Sequence, residues 1–99
     1  MRLISHMPTE RAAQIMATAA KHFAHKAEVV ETAETVSITL SAGLAVIALS
    51  DGGLSLRIEA ADPAQAVRAS EVVESHLLRF AHRENPAPLN WTEAESAAP

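Results

Sequence analysis

Cysteine is absent from this 99-residue chain. That removes a disulfide framework, a thiolate nucleophile and any Cys-ligated zinc site. Three glycines are too few for a Gly-rich phosphate loop, and one Trp with two Phe offers little surface for base stacking. Positive charge is also scarce: 8 Lys and Arg against 12 Asp and Glu leave a formal charge of -4. Nucleic-acid binders carry a surplus of base on one face, because neutralising phosphate supplies most of their affinity. Nucleic acid is therefore not an expected partner. No stretch approaches the roughly 18 uninterrupted apolar residues of a membrane span. Met1 to Pro8 has no apolar run ahead of a small-residue cleavage site, so no secretory signal is read there. The expectation is a cytoplasmic protein that engages no membrane.

What is present describes one globular domain. The chain is 48% hydrophobic and 20% charged, ordinary proportions for a folded protein, and its length suffices for one modest core. Residues 1–92 read as a single domain and 93–99 as a flexible C-terminal tail.

Arg2 to His6 reads as a first strand ended by Pro8. From Thr9 to Lys26, Ala12, Ile15, Met16, Ala19 and Phe23 recur at helical spacing and make one apolar face. Thr9 is the expected N-cap, with Glu10 beside the positive end of the helix dipole. The pattern then turns to strands. Val29 to Thr32 supplies one; Val36, Ile38 and Leu40 alternate with Thr35, Ser37 and Thr39 in the next. Leu44 to Leu49 is apolar throughout and reads as a central strand covered on both faces. Asp51-Gly52-Gly53 predicts a hairpin turn, after which Leu54, Leu56 and Ile58 alternate with Ser55, Arg57 and Glu59. A second helix starts at Asp62-Pro63-Ala64-Gln65, with Asp62 as cap and Pro63 in the first helical position. Ala66, Ala69, Val73, Leu77 and Phe80 form its apolar face, and Asn85-Pro86-Ala87-Pro88 ends it. Leu89 and Trp91 flank Asn90 in a final short strand. The fold class is α+β: a curved antiparallel sheet of four to six strands with both helices on one face, in the order of TATA-binding-protein-like domains. An apolar sheet face must be covered, and two amphipathic helices are at hand. Fold likeness carries no function.

Four of the five histidines and both phenylalanines fall in two short basic segments at the ends of these helices. The segments are Lys21-His22-Phe23-Ala24-His25-Lys26 and His76-Leu77-Leu78-Arg79-Phe80-Ala81-His82-Arg83. At about 100° per residue, His22 and His76 sit at the margins of their apolar faces, His25 lies about 60° beyond His22, and His82 points away. The candidate site is therefore His22, His25 and His76, with Lys21, Arg79 and Arg83 as basic neighbours. Packed side by side, the helices would bring these residues to one groove. Such a cluster suits a carboxylate or other anion, or a metal or haem iron. Against both stands packing alone, since histidine and lysine in a last helical turn are favoured by the dipole. Packing asks least of the sequence. No His-Glu-x-x-His pattern occurs, no metal is assigned, and no cofactor is expected.

Other features carry less. Glu28, Glu31 and Glu34 read as a solvated edge that discourages sheet-to-sheet pairing. Glu31 and Glu59 are the one candidate acid–base pair, though nothing places them in a cleft. Ser41, Ser50 and Ser55 lack a nucleophile elbow. Trp91 reads as a plug at the edge of the core.

Several runs together carry a family resemblance: Thr9-Glu10-Arg11-Ala12, the first histidine segment, Leu54-Ser55-Leu56-Arg57-Ile58-Glu59-Ala60, Val72-Val73-Glu74-Ser75 leading into the second, Arg83-Glu84, and Asn90-Trp91. In order and spacing the chain resembles a bacterial family catalogued as a domain of unknown function, number twenty-two eighteen. The family's His-Phe-x-His-Lys falls on His22, Phe23, His25 and Lys26, and its His-Leu-x-Arg-Phe on His76, Leu77, Arg79 and Phe80. Members often carry a cysteine in the central strand, where this chain reads Gly43 to Leu49 without one. The resemblance implies a small stand-alone cytoplasmic protein. It also implies an association with siderophore-interacting flavoprotein reductases, hence with iron handling.

The resulting expectation is a non-enzymatic small-ligand or accessory binding domain with a basic histidine site on its two helices. The alternative is a protein-interaction module, either a homodimer or the partner of a flavoprotein reductase. An enzyme ranks third, because neither a nucleophile with its base nor a carboxylate dyad can be assembled.

Overall fold

A computed structural model describes residues 1–94. The elements are β1 (Arg2–Pro8), α1 (Ala12–Phe23), β2 (Glu28–Glu31), β3 (Thr35–Leu40), β4 (Gly43–Ser50), β5 (Gly53–Glu59), α2 (Pro63–Phe80), a 3-10 turn (His82–Glu84) and β6 (Thr92–Ala94). The strands form one antiparallel sheet in the order β2-β3-β4-β5-β1-β6. The first strand of the chain thus lies between the fifth and the last. The α+β class and the order of elements are as the sequence pattern implies.

Period-two alternation builds the core. Leu3 and Met7 of β1, Val36 and Ile38 of β3, Ala45 and Ile47 of β4, and Leu54, Leu56 and Ile58 of β5 are buried on one face of the sheet. Ile15, Met16, Ala19, Ala20 and Phe23 of α1 meet them there, with Ala66, Ala69, Val73 and Leu77 of α2. Both helices therefore lie on one face, and no other described element covers the opposite face. The run Leu44–Leu49 is consequently not sheltered on both sides: Leu44, Val46 and Ala48 stay half-buried on the open face. Two helices can close one face only, and no third layer exists among the described residues.

The turns follow from backbone chemistry. Ser50 pairs with Gly53 across the two-residue loop Asp51-Gly52, and Gly52 takes the left-handed conformation with φ 75°, which only glycine adopts at little cost. Gly53 serves differently. A Cβ there would lie 2.0 Å from the carbonyl oxygen of Met7, so β1 packs against bare backbone.

Helix boundaries depart from the periodicity. The Asp62 cap forms as expected, its carboxylate accepting from the Gln65 amide at 2.9 Å. Thr9, in contrast, does not cap α1. Its amide donates to the Gly52 carbonyl at 3.0 Å, so pairing with the β4–β5 turn continues past Pro8; its hydroxyl accepts from the Arg11 amide at 3.0 Å and donates to Glu84, and the helix starts two residues late, at Ala12. The far end also stops early. α1 ends at Phe23, and the Ala27 amide returns to the Phe23 carbonyl at 2.8 Å, turning the chain into β2.

The last strand is Thr92–Ala94, paired with Arg2–Ile4, and not Leu89 to Trp91. Those three residues are instead pinned across the molecule. Glu74 accepts from the Leu89 amide at 3.1 Å and from the Trp91 indole at 2.8 Å, and the Asn90 carbonyl accepts from the Ser5 hydroxyl at 2.8 Å. Trp91 packs half-buried at the margin of the core. The expected tail from 93 thus begins inside a strand, and its residues 95–99 lie outside the described residues.

Candidate functional site

The ends of the two helices meet as the spacing of their margins implies. Packing of α1 along α2 brings the rings of His22 and His76 to a centroid separation of 4.8 Å. Phe23 lies 4.8 Å from His76 and 5.5 Å from His22, and Phe80 is 5.6 Å from His22. The two helices run antiparallel, since Thr9 before α1 bonds to Glu84 after α2 while His22 faces His76.

The two imidazoles differ in their surroundings. His76 Nδ1 lies 2.7 Å from the Val72 carbonyl oxygen. A carbonyl can only accept, so Nδ1 carries the proton and the neutral ring presents its lone pair at Nε2. His22 Nε2 is buried without a hydrogen-bond partner among the described residues. Desolvation, then the neighbouring His76, Lys26, Arg79 and His25, hold the His22 pKa below its ordinary 6.5.

His25 does not join the pair. With α1 ended at Phe23 it leaves the helical screw and stands exposed in the following turn. It acts on His22 only through its field, as does Arg79. Lys21 and Arg83 are exposed on the surface, outside the cleft beside the pair. His82 is exposed too, its Nδ1 bonded to the Arg79 carbonyl at 3.0 Å. The six candidates thus divide into two imidazoles in contact, two groups that act at a distance, and two that stand apart.

Beside the imidazoles opens a cleft of about 320 Å³. α1 and the turn after it supply His22, Phe23 and Lys26; α2 supplies Arg68, Val72 and His76; the β3–β4 turn closes the third side with Leu40, Ser41 and Ala42. Not one acidic residue lines it, in a chain with 12 of them. Neither Lys26 nor Arg68 forms an ion pair among the described residues, whose pairs are Arg2 and Arg57 with Glu59. The helix dipole accounts for Lys26 and His22 at the end of α1. It does not account for Arg68, which sits in the first half of α2.

Sequence reasoning missed Arg68, Lys26 as a cleft residue, and the β3–β4 turn. One signal was available: Arg68, Val72 and His76 are spaced i, i+4, i+8 and share one stripe of α2. The turn carried no local signal, since its place under the helices follows from sheet order.

The acid–base pair is ruled out by topology. Glu31 and Glu59 lie on β2 and β5, three strand spacings or roughly 14 Å apart, and Glu59 is engaged by Arg2 at 3.2 Å and Arg57 at 3.1 Å. Glu28 and Glu31 do lie on an edge strand, exposed. Among the described residues no three His, Asp or Glu side chains gather as a metal site. Among the described residues no helix is long and apolar enough to cross a membrane. A larger depression of about 540 Å³ between β1 and residues 84–90 is bordered by Pro8, Pro86 and Pro88 and holds no unpaired cation.

Comparison with known proteins agrees with this architecture. The NMR structure of PA4090 from Pseudomonas aeruginosa is similar at 29% identity and a TM-score of 0.79, over 96% of this chain and 98% of that one. No curated protein matches the chain. A family model covers residues 4–92, spanning both histidine segments and all but two residues of β1 to β5 with α1 and α2. The chain therefore belongs to the family described as an uncharacterized protein conserved in bacteria, DUF2218.

Proposed function

We propose that the protein is a non-enzymatic binding domain whose cleft between α1, α2 and the β3–β4 turn receives the anionic group of a small, partly apolar ligand. One observation carries the reading: an acid-free cleft holding Lys26 and Arg68, which form no ion pair among the described residues, in a chain of formal charge -4. Like charges gathered without counterions cost stability. An arriving anion relieves that cost and gains charge-assisted hydrogen bonds. Phe23, Leu40 and Val72 supply the apolar wall typical of small-ligand sites. The candidates read from the sequence enter unequally. His22 and His76 form the floor, His25 and Arg79 add positive potential, and Lys21 and Arg83 guide approach from the surface. The family resemblance adds an iron-handling setting in the cytoplasm, in which a ferric siderophore is one anionic ligand to try. Metal or haem iron held by the histidines directly is less favoured, because only two rings meet.

Titration of isotope-labelled protein with benzoate, hexanoate and a ferric hydroxamate, read by amide NMR shifts and melting temperature, tests the reading. A binder raises the melting temperature by mass action. Shifts concentrated on residues 22–27, 39–42 and 68–76, and abolished in Lys26→Gln/Arg68→Gln, support it. If no anion perturbs these residues, the reading fails.

A second reading has its own observation. Ile4 and Val30 are 41% and 55% exposed on the sheet face away from the helices, where with Val46 they alternate with Ser37 and Arg57 in one cross-strand row. Exposed apolar side chains interleaved with polar ones suit a protein partner, either a second copy or a flavoprotein reductase. Sedimentation of wild type against Ile4→Lys/Val30→Lys separates the copy from the monomer.

A further inference from the structure

We propose that the cleft selects an elongated hydroxylated carboxylic acid, its carboxylate at Arg68 and its hydroxyl at His76. This rests on the binding reading above and names the ligand class. The cleft has two chemically different ends. Arg68 and His76 lie on one stripe of α2, eight residues and so roughly 12 Å apart along the axis, with Val72 between them. Both side chains lean into the same cleft, which shortens the span a ligand must cover.

At the Arg68 end the charge is permanent, because a guanidinium stays protonated throughout the useful pH range. Arg68 is exposed and has no acidic partner among the described residues. Lys26, in the turn after α1, lines the same cleft, so a second cation is at hand for a carboxylate. Ser41 adds a hydroxyl from the facing turn.

The imidazole end offers something else. Its proton on Nδ1 is committed to Val72, so neutral His76 meets a ligand with the Nε2 lone pair, an acceptor. His22 cannot take up the role of anion partner, since its Nε2 is sealed from solvent and its neutral form is favoured. The titratable and charged groups facing this pair are His25 and Lys26 from the turn after α1 and Arg79 from α2; the β3–β4 turn brings none. These groups disfavour a positive charge on His22. With the His76 Nδ1 proton committed to Val72, the matching ligand group is a donor such as a phenol or alcohol, while Phe23 and Leu40 cover an apolar middle section.

Three probes separate the ends: 4-hydroxycinnamate, cinnamate without the hydroxyl, and 4-hydroxycinnamyl alcohol without the carboxylate, each titrated at pH 8 by calorimetry and amide NMR. In the wild type, loss of either group should weaken binding by about tenfold or more, the worth of one charge-assisted or buried hydrogen bond. Arg68→Gln should weaken the preference for the carboxylate, Lys26→Gln/Arg68→Gln should remove it, and both should keep that for the hydroxyl. His76→Phe should do the reverse, and His76→Gln, which retains an acceptor, should restore the hydroxyl preference. Equal binding of cinnamate and 4-hydroxycinnamate by the wild type overturns the inference, as does a carboxylate preference unchanged in Arg68→Gln or one that survives Lys26→Gln/Arg68→Gln. Should benzoate or hexanoate occupy the cleft while 4-hydroxycinnamate does not, the ligand class is wrong and the binding reading stands. Silence from every anion overturns both.

Discussion

Two regions of this small domain treat their polar groups in opposite ways. Where the C-terminal segment crosses α2, carboxylates are saturated. Glu74 holds the Trp91 indole and the Leu89 amide with separate oxygens, and Glu84 holds the Thr9 hydroxyl and the Glu10 amide. At the cleft, Lys26 and Arg68 have no counterion among the described residues, and a histidine nitrogen is buried without a partner. The first region is what a fold builds when it selects for cohesion, since a satisfied polar group stabilises and an orphaned one costs. The second retains groups that weaken the fold, and such groups persist where they serve a purpose other than stability.

The comparison can be broken by mutation. Glu74→Ala should have the largest effect, destabilising the protein by roughly 2–3 kcal/mol in urea melts, because two donors lose a charged acceptor together. Its amide spectrum should change around 89–94 while the cleft keeps its shifts. A loss near zero would mean that the segment is held by packing alone.

Acid should separate the regions next. Folding depresses the His22 pKa below 6.5, so the unfolded chain takes up that proton first and stability falls as pH drops below about 6.5. Above that value the group adds no slope. His22→Phe, which fills the site without a nitrogen, should flatten this limb of a melting-temperature profile between pH 8 and 5. Glu84 titrates lower. The Thr9 hydroxyl and then the Glu10 amide keep its pKa below the ordinary 4.5, so its contribution is complete above 4.5 and is lost as pH falls through the depressed value. Glu84→Gln should flatten that lower limb only. A single acid limb untouched by either variant would contradict both assignments.

Smallest of all should be the change in stability on emptying the cleft of charge. Lys26→Gln and Arg68→Gln should each shift unfolding by less than about 0.5 kcal/mol, with a sign toward greater stability, as expected for exposed residues outside any network. A loss above about 1 kcal/mol would make these cations structural and remove the contrast.

Much of the fold was legible because its signals are local. Alternation in 35–40 and 54–59, glycine at 52, and the Asp62-Pro63 start each act within a few residues. The misreadings lie where distant segments compete for the same backbone. Thr9 has every property of an N-cap, yet its amide is paired with Gly52 and its hydroxyl with Arg11 and Glu84, ahead of a helix that starts at Ala12. Leu44 to Leu49 looks two-sided in composition, but coverage depends on how many layers the chain can supply. Asn90 and Trp91 mark a real feature, though Glu74 turns it into a pinned crossing and moves the strand on to Thr92. In the site, His22 and His76 were found because margins of amphipathic helices meet when helices pack. His25 was misplaced by a helix end that periodicity does not mark.

The sequence by itself determined the α+β class, the buried face of each element and the meeting of two histidines, because side-chain period and apolar pattern fix which surfaces must be hidden. Only the tertiary structure decided that Arg68, Lys26 and the β3–β4 turn share a cleft with them and that no acid enters it. Helix packing and sheet order set those proximities, and beyond the α2 stripe that links Arg68 to His76 they join residues whose spacing along the chain carries no trace of the contact.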